Sequence, residues 1–74
     1  MQKDELENTL RRLLRDVLKA RFEGAPYRKL ARAHGYADGY MKALLDLGML
    51  DRHELLSMLG AERQRYFNES PASA

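Results

Sequence analysis

The feature that most constrains this fold is the spacing of its apolar residues, which follow one another at gaps of three and four. Such gaps place side chains along one side of an α-helix, and the alternating pattern of a β-strand does not appear. A first helix is therefore predicted over Lys3–Phe22. Gly24 would end this helix, and Pro26 could not continue it. The apolar residues of this stripe are Leu6, Leu10, Leu13, Leu14, Val17, Leu18 and Phe22.

Glycine residues divide the middle of the chain into two short predicted helices. The second helix would begin at Pro26, a favoured first helical position, and would stop just before Gly35. The third would begin at Asp38, a good N-cap residue, and would end near Leu47, where Gly48 stops it. The side chains expected on the inner side of this third helix are Tyr40, Met41, Leu44, Leu45 and Leu47.

The fourth predicted helix has the strongest start signal. Asp51 and Glu54 have the spacing of a capping box, in which each side chain accepts a hydrogen bond from the backbone of the other residue. The pattern leaves open whether Gly60 ends this helix or whether the helix continues to Phe67. The side chains expected to face inward are Leu55, Leu56, Met58 and Leu59.

The predicted fold class is all-α, with one small four-helix domain over residues 1–67 and a disordered tail over residues 68–74. A domain of this size buries only about 60% of its unfolded surface, and the chain has no cysteine for a disulfide. A homodimer is therefore expected to supply missing core. The interface predicted from the heptad-like rhythm of the first helix consists of Leu6, Leu10, Leu13 and Val17.

Composition and motifs argue against several other classes of protein. The charged N-terminal segment has no secretory signal, and no apolar run approaches the ~20 residues that span a bilayer. A cytoplasmic location is therefore expected, and a membrane partner is not. No catalytic constellation or phosphate-binding loop is present, so neither an enzyme nor a small-molecule substrate is predicted. His34 and His53 lack the spacing of a metal site, and no cofactor is expected.

Charge is distributed unevenly along the chain. Between Arg11 and Arg32, eight bases and two acids give a net charge of +6, although the whole chain carries only +2. The rest of the chain therefore carries −4. Such asymmetry indicates an anionic partner for the basic half, although arginines on a solvated helix face would give the same pattern.

The order of residues from Tyr27 to Asp46 resembles the helix-turn-helix of bacterial and phage regulators. Ala31 is small at the point where two helices would cross closely, and Gly35 tolerates the backbone conformation of a turn. The resemblance covers about 20 of the 74 residues. The side chains that would form the apolar seam between the two helices are Leu30, Tyr36, Met41 and Leu44.

This resemblance implies a transcriptional regulator that binds duplex DNA as a homodimer, with its third helix in the major groove. The residues assigned to base contacts are Asp38, Tyr40 and Lys42. Those assigned to phosphate contacts, which position a protein without specifying a sequence, are Arg11, Arg12, Arg15, Arg28, Lys29 and Arg32. The alternative is a protein–protein interaction or oligomerisation module in which the same helices serve only as a scaffold.

Overall fold

Three helices, rather than the four predicted, make up the part of the chain that the structure describes, residues 2–69. In this computed structural model α1 spans Lys3–Phe22, α2 spans Tyr27–Asp46 and α3 spans Arg52–Glu69. The all-α fold class and the bounds of the first helix are confirmed. The predicted number of helices is wrong.

The helix directions follow from the contacts of α1, which packs against both other helices. Lys3 at the start of α1 pairs with Glu54 near the start of α3. Arg15, further along α1, pairs with Glu69 at the end of α3. The helices α1 and α3 are therefore parallel, and α2 runs antiparallel to both. The connection between α1 and α2 lies at one end of the bundle, and the connection between α2 and α3 lies at the other.

Glycine ends α1 and α2 as the sequence predicted. Gly24 and Gly48 have φ angles of 79° and 71°, a region that glycine enters without the steric cost of a side chain. In each case the residue after the glycine donates its N–H to a carbonyl oxygen in the last turn of the preceding helix. Both connections are consequently tight and well defined.

The capping box at the start of α3 is confirmed. The N–H of Glu54 donates to Oδ1 of Asp51 at 2.7 Å, and the N–H of Asp51 donates to Oε1 of Glu54 at 3.1 Å. Leu50, just before this box, is buried in the same core as Leu55. An apolar contact of this kind fixes the angle at which the chain enters the helix.

The turn predicted at Gly35 is wrong, and with it the helix-turn-helix arrangement expected over residues 27–46. Gly35 lies in the middle of α2, which continues from its first residue to its last without a break. A glycine inside a helix costs only about 1 kcal/mol relative to alanine. On the same helix, Ala37 and Leu44 are buried in the core that also contains Leu10 and Leu14 of α1, and burial of apolar side chains offsets a cost of this size.

The last helix is longer than predicted. It continues through Gly60, which decides the question that the sequence left open. It also includes Asn68 and Glu69, so the first two residues of the predicted tail are helical. The remainder of that predicted tail, residues 70–74, lies outside the described residues.

An apolar core lies between the three helices and consists of Leu10, Leu14, Ala37, Leu44, Leu50 and Leu55. Leu10 is completely buried within its own chain, so it cannot contact a second copy. This corrects its predicted place in a dimer interface. The other residues of that predicted interface are partly buried and pack against the same core; they are Leu6, Leu13 and Val17.

Three leucines that the sequence pattern assigned to the inside lie at the surface instead. Leu45, Leu47 and Leu56 have exposed fractions of 37%, 73% and 61%. Leu45 and Leu56 each follow a buried leucine, and one step along a helix turns a side chain by about 100°. Leu45 and Leu56 lie on either side of the connection between α2 and α3, and Leu47 lies within it. We call these three residues the leucine end.

Candidate nucleic-acid interface

Five cations surround the connection between α1 and α2, at the opposite end of the bundle from the leucine end. The last turn of α1 and the first two turns of α2 meet there. Bases in the last turn of α1 are stabilised by the helix dipole, so their position has a local cause. We call these five residues the basic end; they are Lys19, Arg21, Arg28, Lys29 and Arg32.

An open groove with a volume of about 630 Å³ lies beside this connection and is lined by residues of both α1 and α2. Lys19 from α1 lines it together with Lys29 and Arg32 from α2, so cations of two helices share one concave surface. A concave surface focuses the electric field of its charges, which attracts an anion more strongly than a flat one. The rest of the lining comprises Leu13, Asp16, Ala20, Glu23, Ala25, Pro26, Ala33 and Tyr36.

The cations of this groove have no acidic partner in the described part of the chain. Within residues 2–69, no carboxylate oxygen lies within 4.0 Å of Lys19, Lys29 or Arg32. Arg28 likewise has none. Arg21 lies 3.4 Å from the Nε2 atom of His34 rather than beside an acid. No carboxylate of residues 2–69 therefore forms a direct ion pair with the basic end, and the two acids that line the groove, Asp16 and Glu23, offset only part of the charge of its three bases.

Arg11 and Arg15, which the sequence assigned to phosphate contacts, already contact side chains of this chain. Arg11 donates a hydrogen bond to Oδ1 of Asn8 at 2.9 Å and lies 3.6 Å from a carboxylate oxygen of Glu7, both on α1. The Nε atom of Arg11 lies 4.0 Å from a carboxylate oxygen of Glu62. Arg15 donates a hydrogen bond to Glu69, and this bond raises the pKa of the Arg15 guanidinium above its ordinary value. The structure therefore separates these two arginines from the bases of α2.

Glu62, the acid near Arg11, is buried. Its exposed fraction is 3%, and one carboxylate oxygen lies 3.4 Å from Arg65 and 4.0 Å from Arg11. A buried carboxylate is tolerated when cations surround it, and removing one of those cations is costly. Of these contacts, the one from Arg11 joins α1 to α3, whereas the one from Arg65 lies within α3.

The predicted base contacts are not brought to the basic end. Lys42 pairs with Asp46 at 3.4 Å, in the half of α2 nearer the leucine end. Asp38 lies 3.7 Å from the ring of His34, and Tyr40 is partly buried against the core. Because α2 is one continuous helix, no separate recognition helix presents these side chains. The geometric reason for assigning them to base contacts is therefore absent.

Sequence reasoning overlooked Lys19 as a binding residue, because a base in the last turn of a helix has an ordinary explanation in the helix dipole. One signal could have identified it. Lys19 is close to the helix stop at Gly24, so a tight connection must bring it beside the start of the next helix. Arg12 lies seven residues earlier on the same side of α1 and is also exposed.

The start of α2 lacks the features that usually complete a helix N-terminus. Pro26 at the N-cap position makes no side-chain hydrogen bond to the helix, and the first turn contains no acid. Arg28 and Lys29 lie in that turn, where the helix dipole is unfavourable for positive charge. A negatively charged partner at this position would be favoured by both the dipole and the bases.

Comparison with protein families, curated protein sequences and solved structures gave no match to this chain. No helix within residues 2–69 combines the length and the apolar character needed to cross a membrane. In the same stretch, no three histidine or acidic side chains converge as they would around a metal ion. The observation from which a function can be argued is the group of bases at the basic end, none of which forms an ion pair with a carboxylate of residues 2–69.

Proposed function

We propose that the chain binds duplex DNA through the basic end, by contacts to phosphates, and that it does so as a homodimer. The observation that carries this proposal is the shared groove of Lys19, Lys29 and Arg32, none of which has a carboxylate within 4.0 Å among residues 2–69. DNA carries one negative charge per about 1.7 Å of its axis, so closely spaced bases can neutralise neighbouring phosphates.

The choice of surface rests on the five bases without a carboxylate partner that surround one connection, whereas Arg52, which also has none among residues 2–69, lies apart from them at the start of α3. Lys3 and Lys42, which lie outside the basic end, each pair with an acid of the same chain. Arg28 is exposed on α2 beside the groove and extends the positive surface. Bases that already pair with a carboxylate have less to gain from a phosphate than bases that do not.

Contacts of this kind would discriminate poorly between DNA sequences. The exposed side of α2 carries four small residues that cannot donate or accept a side-chain hydrogen bond; they are Ala31, Gly35, Gly39 and Ala43. Base readout depends on such hydrogen bonds. We therefore expect similar affinities for duplexes of unrelated sequence. Control of transcription at one operator, which the resemblance implied, would need a second source of specificity.

The decisive experiment measures DNA binding as a function of salt. Binding of a fluorescent duplex is expected to weaken about 100-fold from 50 to 200 mM salt, as the release of counterions by about four phosphate contacts requires. The double variant Lys29→Gln/Arg32→Gln should bind at least about 10-fold more weakly at low salt, with a salt slope smaller by about 2.

The matched control is Lys3→Gln/Lys42→Gln, which removes the same amount of charge from outside the basic end. Its DNA affinity should stay within about 3-fold of the parent protein, because the lost bases do not contact phosphates. Equal weakening in both double variants would mean that net charge alone governs binding. The basic end would then not be the DNA-binding surface. Absence of duplex binding at 50 mM salt would reject the proposal itself.

A protein–protein interaction module is the second candidate, and a separate observation favours it. The exposed leucines of the leucine end have no role in a phosphate-binding surface. Exposed apolar clusters commonly mark contact sites for other proteins. The two candidates use opposite ends of the bundle, so they are compatible and can be tested independently.

A further inference from the structure

The leucine end is the one part of the described surface where large aliphatic side chains are strongly exposed. Leu47 and Leu56 have exposed fractions above one half, and Leu45 lies just above one third. The other large exposed apolar side chains of residues 2–69 are aromatic; they are Phe22, Tyr27 and Tyr36. Tyrosine keeps a hydroxyl in water, whereas leucine gains nothing from exposure.

We infer that the leucine end is the surface through which two copies of this chain associate. The inference does not rest on DNA binding. It replaces the interface predicted from the first helix, in which Leu10 is unavailable because it is fully buried. The leucines that contact the second copy are therefore those that lie outside the core of their own chain.

The charged residues around the leucine end are of both signs, which favours a second copy over a partner whose surface is strongly positive or strongly negative. Lys42 and Asp46 lie on the last turns of α2, and Asp51 and Arg52 lie at the start of α3. Two copies related by a two-fold axis bring the same patch against itself. A patch with charges of one sign would repel the same patch on the other copy. Because these four residues include two acids and two bases, each acid can meet a base of the other copy.

Asp46 and Arg52 are the reciprocal pair that this arrangement predicts. Arg52 is exposed and has no carboxylate within 4.0 Å among residues 2–69, so it is available to another molecule. Asp46 is also exposed, with Lys42 as its partner within the chain. In a two-fold dimer, Arg52 of each copy meets Asp46 of the other, and the leucines are covered between these two contacts.

Because the chain is small, association with a second copy would add to its stability. Small domains bury a lower fraction of their surface than large ones and are correspondingly marginal. Within residues 2–69, the core cluster contains six buried residues. Burying the leucine end against a second copy adds apolar contact that one chain cannot supply by itself. The interface is small, so we expect weak association with a dissociation constant of about 10–100 µM.

Sedimentation of the full chain tests the inference. The parent protein should change from a monomer of 8.6 kDa towards twice that mass as its concentration rises through this range. Leu47→Gln/Leu56→Gln should weaken association about 100-fold, because four leucines per dimer lose their apolar contact. The matched control, Tyr27→Gln/Tyr36→Gln, removes exposed apolar side chains from the other half of the molecule and should associate normally. Circular dichroism would verify that both variants remain helical.

A mixing experiment tests the two-fold arrangement. Asp46→Arg alone would place like charges opposite each other in the dimer, and so would Arg52→Asp alone, so each variant should remain monomeric. Mixed in equal amounts, the two variants should associate, because every pair is again of opposite sign. Both substitutions suit the dipole of their helix end, an arginine at a C-terminus and an aspartate at an N-terminus, so folding should be preserved.

Three results would overturn the inference. One is a parent protein that stays monomeric above about 100 µM, where an interface of this class should be populated. Another is association that the double leucine variant leaves unchanged, which would place the interface elsewhere. The third is a mixture of the two charge variants that sediments as its separate components do, which would exclude the reciprocal contact and with it the two-fold dimer.

Discussion

The two ends of this bundle differ in how their charges are partnered and in which apolar side chains they expose. At the basic end, Lys29 and Arg32 have no acidic partner among residues 2–69. At the other end, Lys3 pairs with Glu54, which raises the pKa of the lysine through a hydrogen bond. In the described part of the chain, the exposed large aliphatic side chains lie only at this second end.

A very small domain can thus place charges that act at long range and apolar side chains that act at short range on different parts of its surface. Unpaired charges act on a polyanion over about 10 Å at ordinary salt, whereas apolar surfaces act only when they touch. Placing them at opposite ends lets a second copy bind without covering the bases. The shared core must hold both ends in place, and the following substitutions test that requirement.

Leu10→Ala should have the largest effect, because Leu10 is completely buried in the core that the helices share. The expected loss is about 2–5 kcal/mol of unfolding free energy, a large part of the stability of so small a domain. Urea unfolding followed by circular dichroism measures it. DNA binding and self-association should decline together.

The control for this substitution is Leu47→Ala, in a side chain that is largely exposed. Its unfolding free energy should change by less than about 0.5 kcal/mol. A loss as large as that of Leu10→Ala would mean that Leu47 packs inside the domain, and the contrast between the two ends would then fail.

The two connections offer a more selective comparison. Gly24→Ala and Gly48→Ala each force a side chain into the positive φ region, where alanine costs about 1–2 kcal/mol. Neither added methyl group would meet another atom within 4 Å, so the cost arises from the backbone alone. We expect Gly24→Ala to weaken DNA binding more than self-association, and Gly48→Ala to do the reverse. Equal effects on both activities would indicate that the ends are not independent.

Gly35→Ala should have the smallest effect and the opposite sign. Gly35 lies within a continuous helix, and an added methyl group there meets nothing within 4 Å. Alanine should therefore stabilise the domain by up to about 1 kcal/mol, detectable as a higher urea midpoint. Destabilisation would instead point to a turn at this position and would revive the helix-turn-helix arrangement.

Local signals in the sequence predicted the ends of the helices well. Gly24 and Gly48 follow long apolar patterns, and the capping box of Asp51 and Glu54 depends on residues that are neighbours in the chain. Gly35 was misread because its effect depends on packing elsewhere. A helix tolerates glycine when residues such as Leu44 bury enough apolar surface against another helix.

The candidate surface was less predictable, because pairing of charges depends on how the helices are aligned. The sequence grouped Arg15 with Arg28 and Arg32 as bases of one segment. Only the parallel alignment of α1 and α3 brings Glu69 to Arg15, 54 positions away in the chain. The exposure of Leu56 likewise depends on the rotation of α3 about its axis, which its apolar pattern did not define.

The parallel course of α1 and α3 has a practical consequence for following both activities in solution. Gln2 precedes the helix that starts near the leucine end, whereas Asn68 lies in the last turn of the helix that finishes near the basic end. The chain has no cysteine, so a single cysteine introduced at either position can carry one fluorescent dye. A dye at the first position would report the approach of another copy, and a dye at the second would report the arrival of nucleic acid.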